Sequence, residues 1–424
     1  MNQANKKHVS KYQDSHHKKW PVGTKGIWVN EKESGRYSLI HEEISLPAAV
    51  LRQSSLTNNL NWMQQFARHH QVQLAPHGKT TMTPALFEQQ LAAGAWGITV
   101  ATAPQAEVAV EAGAKHILMA NQLVGKANIA MVRRLQQQHA VTFYCCVDSA
   151  ENARQLSQAF EQGSQPLHVL IEYGVPGGRC GCRSEQDVVA LAETIHSLPG
   201  LILCGIEVYE GVIHGANAEA DIRAFLASAI NTVEHLTERQ LITRSQPVIT
   251  GAGSAWYDVV AESFADHPHL LAIIRPGCYL IHDTGIYQDA QANVMARAER
   301  NQGAACDLGG DLESALEIWA YVISRPEPGK AVIGMGKRDV AFDAGLPIPE
   351  RGYRNGHALD IDGLKAIAIM DQHTFVEVPE GHDLSVGDMI AFSTSHPCLT
   401  FDKWRYLCVA DEDYNVSQWV ETLF

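Results

Sequence analysis

The octet Leu74-Ala75-Pro76-His77-Gly78-Lys79-Thr80-Thr81 ends an apolar, strand-like run and presents a primary amine where a loop toward a helix should begin. Pro76 and Gly78 fix the backbone beside that amine. A lysine at such a mouth, once partly desolvated, sheds its proton and becomes a nucleophile for aldehydes. Two other readings compete. Gly78-Lys79-Thr80 mimics the end of a phosphate-binding loop, but that motif needs a glycine five positions before Gly78, and Gln73 stands there. An ordinary exposed loop lysine also fits, and for the octet taken alone it is the leading reading.

A second group lies far along the chain, in Ser395-His396-Pro397-Cys398. On an extended segment His396 and Cys398 would share a face, and imidazole with thiolate is a favoured zinc pair. Two protein ligands are too few for a structural site, yet they suit a catalytic ion whose other positions face water and substrate. The plainer alternative is a buried cysteine beside a surface histidine. Cys180-Gly181-Cys182 is a rival pair, although spacing that tight in a glycine loop fits a structural role.

These residues need a frame. From residue 48 to about 280, short apolar runs alternate with helical patterns. The runs 71–75, 97–101, 116–120, 141–147, 167–172, 201–209, 247–250 and 270–274 read as strands, and Pro84 to Ala93, Pro104 to Ala112 and Ala218 to Leu236 read as helices between them. Eight such strands over this length predict a TIM (β/α)8 barrel, with a doubly wound open sheet as the alternative. Beyond Ile281 the runs are short, β-rich and separated by Gly, Asp and Pro, which predicts a mostly antiparallel β domain. The expected division is a disordered or extended tail over 1–22, a segment over 23–47 that joins the β domain, a barrel over 48–285 and the β domain over 286–424.

In a barrel, chemistry belongs to the loops after the strands. Those loops carry Lys79, then Arg179 at the end of a glycine-rich stretch, Tyr209 and Glu210, Gly253 and Ser254, and Arg275-Pro276-Gly277-Cys278-Tyr279. The last two loops are the usual place for a phosphate, and Gly253 and Ser254 can bring amides and a hydroxyl close to a dianion. An amine and a phosphate cradle in one barrel make pyridoxal phosphate the better cofactor reading.

Composition excludes several other classes. The net charge of -14 and the lack of a cationic run past the amino terminus argue against nucleic-acid or membrane partners, leaving a small molecule. Nine cysteines without paired spacing fit a reducing compartment, and no apolar run approaches a membrane span, so a cytoplasmic protein is expected. The stretch Lys6 to Lys19, rich in Lys and His, reads as a solvated tail before it reads as a nucleic-acid arm or metal tract.

Pro76-His77-Gly78-Lys79-Thr80, Gly253-Ser254, Arg275-Pro276-Gly277 with Tyr279, and His396-Pro397-Cys398, in this order, resemble the D-serine dehydratase and D-threonine aldolase family of fold type III pyridoxal phosphate enzymes, relatives of alanine racemase. The resemblance spans roughly residues 45 to 410. It implies that Lys79 holds the cofactor covalently and acts as the catalytic base, that Arg179 lies near the cofactor's phenolic oxygen or the lysine, and that Tyr209 approaches the pyridine ring. It places Gly253, Ser254, Gly277 and Cys278 around the phosphate, with His77, Arg275 and Tyr279 also at the cofactor, and gives the metal to His396 and Cys398. Zinc suits that pair, and manganese or cobalt are alternatives. Where relatives often continue the lysine motif with His-Lys, this chain has Thr81-Met82.

The implied activity is α,β-elimination from D-3-hydroxy amino acids such as D-serine, giving a 2-oxo acid and ammonia. Retro-aldol cleavage of D-threonine is the alternative; aldolases of the family tend to carry His-x-Asp at the metal pair, so Cys398 favours the dehydratase. A racemase or a non-catalytic cofactor-binding barrel are further alternatives. A homodimer is expected on the same resemblance.

Overall fold

The computed structural model describes residues 20–163 and 165–424, so the reading of the Lys- and His-rich tail, Met1 to Lys19, lies outside the described residues. Two short strands, β1 (Tyr37–Ser38) and β2 (Ala48–Arg52), precede eight parallel ones: β3 (Gln73–Leu74), β4 (Ile98–Val100), β5 (His116–Gln122), β6 (Thr142–Val147), β7 (Leu167–Tyr173), β8 (Leu201–Val208), β9 (Val248–Gly251) and β10 (Leu271–Ile274). These eight pair in chain order from β4 to β10, and β10 turns back to pair with β3. The ring then closes on the other side of β3. The Trp96 and Thr99 amides donate to the Leu74 and Pro76 carbonyls at 2.8 and 2.9 Å, and His77 bridges Thr99 in parallel. A closed parallel ring with helices outside is the TIM barrel and rules out the open sheet.

Local chemistry sets the helix ends. Thr102, Ser149 and Ser184 cap their helices by accepting from the amides of Gln105, Asn152 and Asp187, which have no partner of their own in the first turn. The helix Pro84–Ala93 stops at Gly94, whose φ of 112° is one that glycine adopts without strain.

The barrel interior is built in layers, because alternate residues of each strand face inward. Near its amino end sits an apolar layer of Leu118, Tyr144, Leu170, Val248 and Ile273. Two residues further along, the same strands present Cys146, Glu172, Thr250 and Arg275, all buried. The barrel is therefore a packed core below and polar above, and the polar layer forms the floor of the site.

The second sheet has eleven strands and takes in both ends of the described chain. β1 pairs antiparallel with Asn415–Glu421, and β2 pairs with β11 (Leu316–Glu327) and with Tyr406–Ala410. β2 is paired into this sheet on both sides, so the barrel's own elements begin with the helix Gln53–His69. The helices Ile286–Asn301 and Ala304–Asp307 connect barrel and sheet, where the sequence suggested only short strands. The first is locked to the barrel helix Tyr257–Ala265 by Arg297, which reaches both oxygens of buried Asp258 at 2.7 and 2.9 Å. No helix among the described residues is long and apolar enough to cross a membrane.

Gly205 on β8 lets the adjacent strand approach closely, since a Cβ there would lie 1.8 Å from the Val248 carbonyl oxygen. Gly205→Ala should destabilise the protein by about 3 kcal/mol, because backbone on both sides must move. A urea unfolding midpoint within error of the parent would contradict this packing.

Candidate active site

Lys79 sits on a single 3-10 turn, Gly78–Thr80, immediately past the strand that closes the barrel. The turn packs so tightly that a Cβ on Gly78 would meet the Phe87 ring at 2.6 Å, which explains the glycine. The His77 Nδ1 accepts from the Lys79 amide at 3.4 Å, so its proton resides on Nε2. Burial pushes the His77 pKa well down, and the nearby cations Lys79, Arg275 and Arg179 push it further. His77 is thus a neutral imidazole in the wall. Lys79 itself is exposed, and its exposed surface faces a cavity of about 200 Å³.

That cavity is lined by His77, Lys79, Arg179, Tyr209, Gly253, Ser254, Arg275, Gly277 and Cys278 from the sequence reading, and also by Thr80, Asn121 and Tyr287. The Arg179 guanidinium lies 4.7 Å from the Tyr209 ring centroid, a cation over an aromatic face that makes one side wall. Elsewhere in the wall the Gly277 and Cys278 amides donate to the Ser254 hydroxyl at 3.3 and 3.2 Å, joining the loops after β9 and β10. A Cβ on Gly277 would come within 2.7 Å of the His77 carbonyl oxygen and of the Thr80 hydroxyl, so glycine is needed where the two loops touch.

Three of the expected site residues commit polar groups to partners inside the protein. The amide of Gly253, offered to a phosphate by the sequence reading, donates to buried Glu210 at 2.9 Å, and the Ala252 amide does so at 3.0 Å. Glu210 follows Tyr209 directly and holds the loop from behind; the Gly277 and Cys278 amides are likewise engaged, on the Ser254 hydroxyl. Tyr279 turns away, with its hydroxyl accepting from Gln90 at 3.1 Å in the packing beneath the helix Pro84–Ala93. Arg275 spends its donors inside the protein, on Glu207, on the Thr250 hydroxyl at 3.0 Å and on the Val208 carbonyl at 3.1 Å. It forms the cavity floor with its charge already matched. Beside it, burial raises the Glu172 pKa, Glu207 raises it further, and Gln122 donates to it at 2.6 Å.

His396 and Cys398 are not on a strand. Pro397 has helical φ and ψ, and Cys398 opens the short helix Cys398–Phe401. The turn still delivers the sulfur to the barrel. Cys398 Sγ lies 3.3 Å from Cys278 Sγ and 3.5 Å from the Thr80 hydroxyl, so the pair abuts the wall of the lysine cavity. Asp343 and His396 Nδ1 are 2.7 Å apart, which orients the ring and leaves Nε2 as the nitrogen able to ligate. Asp343 and Tyr287, whose ring centroid lies 6.4 Å from that of His396, had no spacing signal in the sequence. Hydrogen bonding from Cys278, then from His396 and Thr80, outweighs burial and lowers the Cys398 thiol. Its hydrogen bond to Cys398 and the bond to Asp343 raise His396 to about 9. Without an ion, both shifts favour a thiolate facing an imidazolium. The rival Cys180 and Cys182 belong to loop architecture: the Cys182 amide donates to the Glu172 carbonyl at 2.8 Å, and the Gly181 amide to Asp148 at 3.1 Å.

Residues 51–284, more than half of the chain, match the family model "Alanine racemase, N-terminal domain", and residues 315–410 match "Putative serine dehydratase domain". The chain belongs to the alanine racemase N-terminal domain family, as its motifs suggested. It is 29% identical over 365 residues to the D-threonine aldolase of an Arthrobacter species, covering 85% of this chain and 87% of that protein. It is 26% identical over 333 residues to the D-threo-3-hydroxyaspartate dehydratase of Delftia sp. strain HT23, covering 76% and 79%. Among solved structures, the D-threonine aldolase from Filomicrobium marinum superposes with a TM-score of 0.73 at 25% identity, over 90% of this chain and 95% of that one.

The polarised pair predicts a reactive sulfur. In chelator-treated protein, iodoacetamide should alkylate Cys398 with a rate that rises through a midpoint near pH 5, as the thiolate forms, and then stays level to neutral pH. Removing the donor in Cys278→Ala should move that midpoint upward. A midpoint at the ordinary cysteine value in the parent, measured by peptide mass spectrometry, would refute the assignment.

Proposed function

We propose that this chain is a pyridoxal phosphate- and divalent metal-dependent lyase of D-3-hydroxy amino acids, acting as a dehydratase on substrates such as D-serine. The observation that carries the reading is the Cys398 sulfur, backed by His396, against the same wall that holds Lys79, Thr80 and Cys278. The donor set fits both groups. A primary amine suits an aldehyde; the Ser254 hydroxyl, with the Gly277 and Cys278 amides that a phosphate oxygen would take over from it, suits a phosphate; and thiolate with imidazole suits a zinc-like ion.

When bound, the cofactor would supply an electron sink for the pair left at Cα, and the ion a Lewis acid for the β-hydroxyl. The protein's own residues do the rest. Lys79 would hold the aldehyde carbon and, once displaced by the substrate amine, take the Cα proton. Arg179 and Tyr209 would flank the cofactor ring, while His77, neutral and fixed by the Lys79 amide, keeps the turn in place. His396 and Cys398 would hold the ion, with Asp343 orienting the imidazole. Loss of the Cα proton and of hydroxide releases an enamine, which hydrolyses to a 2-oxo acid and ammonia.

A second reading is the aldolase, in which the Cα to Cβ bond breaks and an aldehyde departs with glycine. It is favoured by the D-threonine aldolase at 29% identity, whereas the thiolate ligand and the match to a serine dehydratase domain favour elimination. A racemase would need a second acid or base facing Lys79 across the cofactor, and no residue has been assigned that role. A homodimer accords with the apolar side chains exposed next to the metal pair, Phe342, Leu399 and Ile286.

Lys79→Ala should abolish the borohydride-sensitive visible band and lower kcat/KM by at least about 10³-fold. Exhaustive chelation should remove activity, and Zn²⁺ or Mn²⁺ should restore it. D-serine, D-threonine and D-3-hydroxyaspartate should each be assayed for oxo acid, ammonia, glycine and aldehyde. Release of glycine and aldehyde alone would select the aldolase, and a band that survives in Lys79→Ala would end the cofactor assignment. Sedimentation as a monomer at assay concentration would exclude the dimer.

A further inference from the structure

We propose a divalent transition-metal site, separate from the lysine cavity, formed by Glu234, His267 and His269 at the opposite end of the barrel. Glu234 lies near the carboxyl end of the helix Ala218–Glu238, and the two histidines occupy the turn between the helix Tyr257–Ala265 and β10. That turn is rigid. The His267 amide donates to the Phe264 carbonyl at 3.1 Å, and the Leu270 amide donates to the His267 carbonyl at 2.9 Å. The two rings stand 5.8 Å apart at 66° to one another, so each presents a nitrogen edge to the helix.

The donor atoms converge on one point. His267 Nδ1 lies 3.1 Å, and His269 Nε2 3.2 Å, from the same oxygen, Glu234 Oε1. One donor atom from each of the three lies within 4.8 Å of the others. Ligands on a tetrahedral zinc at the usual bond lengths of about 2.0–2.1 Å stand about 3.3 Å from one another, so the separations on Glu234 are already close to those an ion would impose. Two imidazoles and one carboxylate suit zinc, nickel or copper better than magnesium or calcium. His269 is exposed and His267 and Glu234 are partly so, which lets an ion enter and leaves a fourth position for water. All three lie outside the residues lining the lysine cavity.

The placement suggests what the ion would do. β10 begins just after His269 and leads into Arg275 of the cavity floor, about 20 Å away at the rise of a strand. An ion here would tie the helix Ala218–Glu238 to the start of that strand and stabilise the native barrel by binding it alone. The competing state is a hydrogen-bonded surface triad that holds no metal.

The test compares zinc bound per chain, by equilibrium dialysis and elemental analysis, in full-length protein and in H267Q/H269Q. The chain has 20 histidines, so the readout is the difference between the two proteins. Both are also prepared with Cys398→Ala, so that the result does not depend on the catalytic pair. The expected result is one zinc fewer in H267Q/H269Q on either background, with unchanged circular dichroism, with unchanged activity where Cys398 is intact, and the same loss of zinc in Glu234→Ala. Equal zinc in the two proteins at saturating free zinc would overturn the proposal and leave the hydrogen-bonded triad.

Discussion

The molecule turns on a contact between two sulfurs that lie 120 residues apart in sequence. Cys278 belongs to the loop after the last barrel strand, and Cys398 to a helical turn of the β sheet domain. Because both also meet Thr80, the turn bearing Lys79 and the turn bearing His396 are held against one another. An amine and a metal-binding pair at opposite ends of a chain become parts of one site only through such a seam. Its chemistry follows from its asymmetry: burial and the neighbouring Cys398 push the Cys278 thiol well up, while hydrogen bonding from Cys278 pulls the Cys398 thiol down, which favours the thiolate at Cys398.

The barrel contributes a floor as well as a frame. Arg275 is neutralised by Glu207 and pinned to Thr250 and the Val208 carbonyl, which fixes the height at which the cavity begins. A buried guanidinium without Glu207 would be costly to keep in the interior, so the two residues form one structural unit. This division, a buried ion pair below and loop side chains facing the cavity above, separates what holds the fold from what can act on a ligand.

Much of this was legible in the sequence. The alternation of apolar runs with helical patterns located all eight barrel strands, because a strand covered on both faces is apolar over most of its length. Lys79, Arg179, Tyr209, Ser254 and Gly277 fell at strand ends, where a barrel exposes its loops. Other features left no readable mark. The helix Ile286–Asn301 has few large apolar residues, since it is fixed to the barrel largely by the Arg297 to Asp258 pair. Alternation suggested a shared face for His396 and Cys398, but Pro397 in a helical conformation brought them together by a turn. Glu210 and Asp343 act through contacts with residues remote in sequence, and such pairings appear only once the chain is folded.

The most direct test is anomalous diffraction at the zinc edge from crystals of the cofactor-loaded protein grown with zinc. The account predicts a peak within bonding distance of Cys398 Sγ and His396 Nε2, at about 2.3 and 2.0 Å, with the Lys79 nitrogen facing the same cavity. A map in which zinc leaves both side chains unligated, or in which Lys79 points away from that cavity in every subunit, would contradict it.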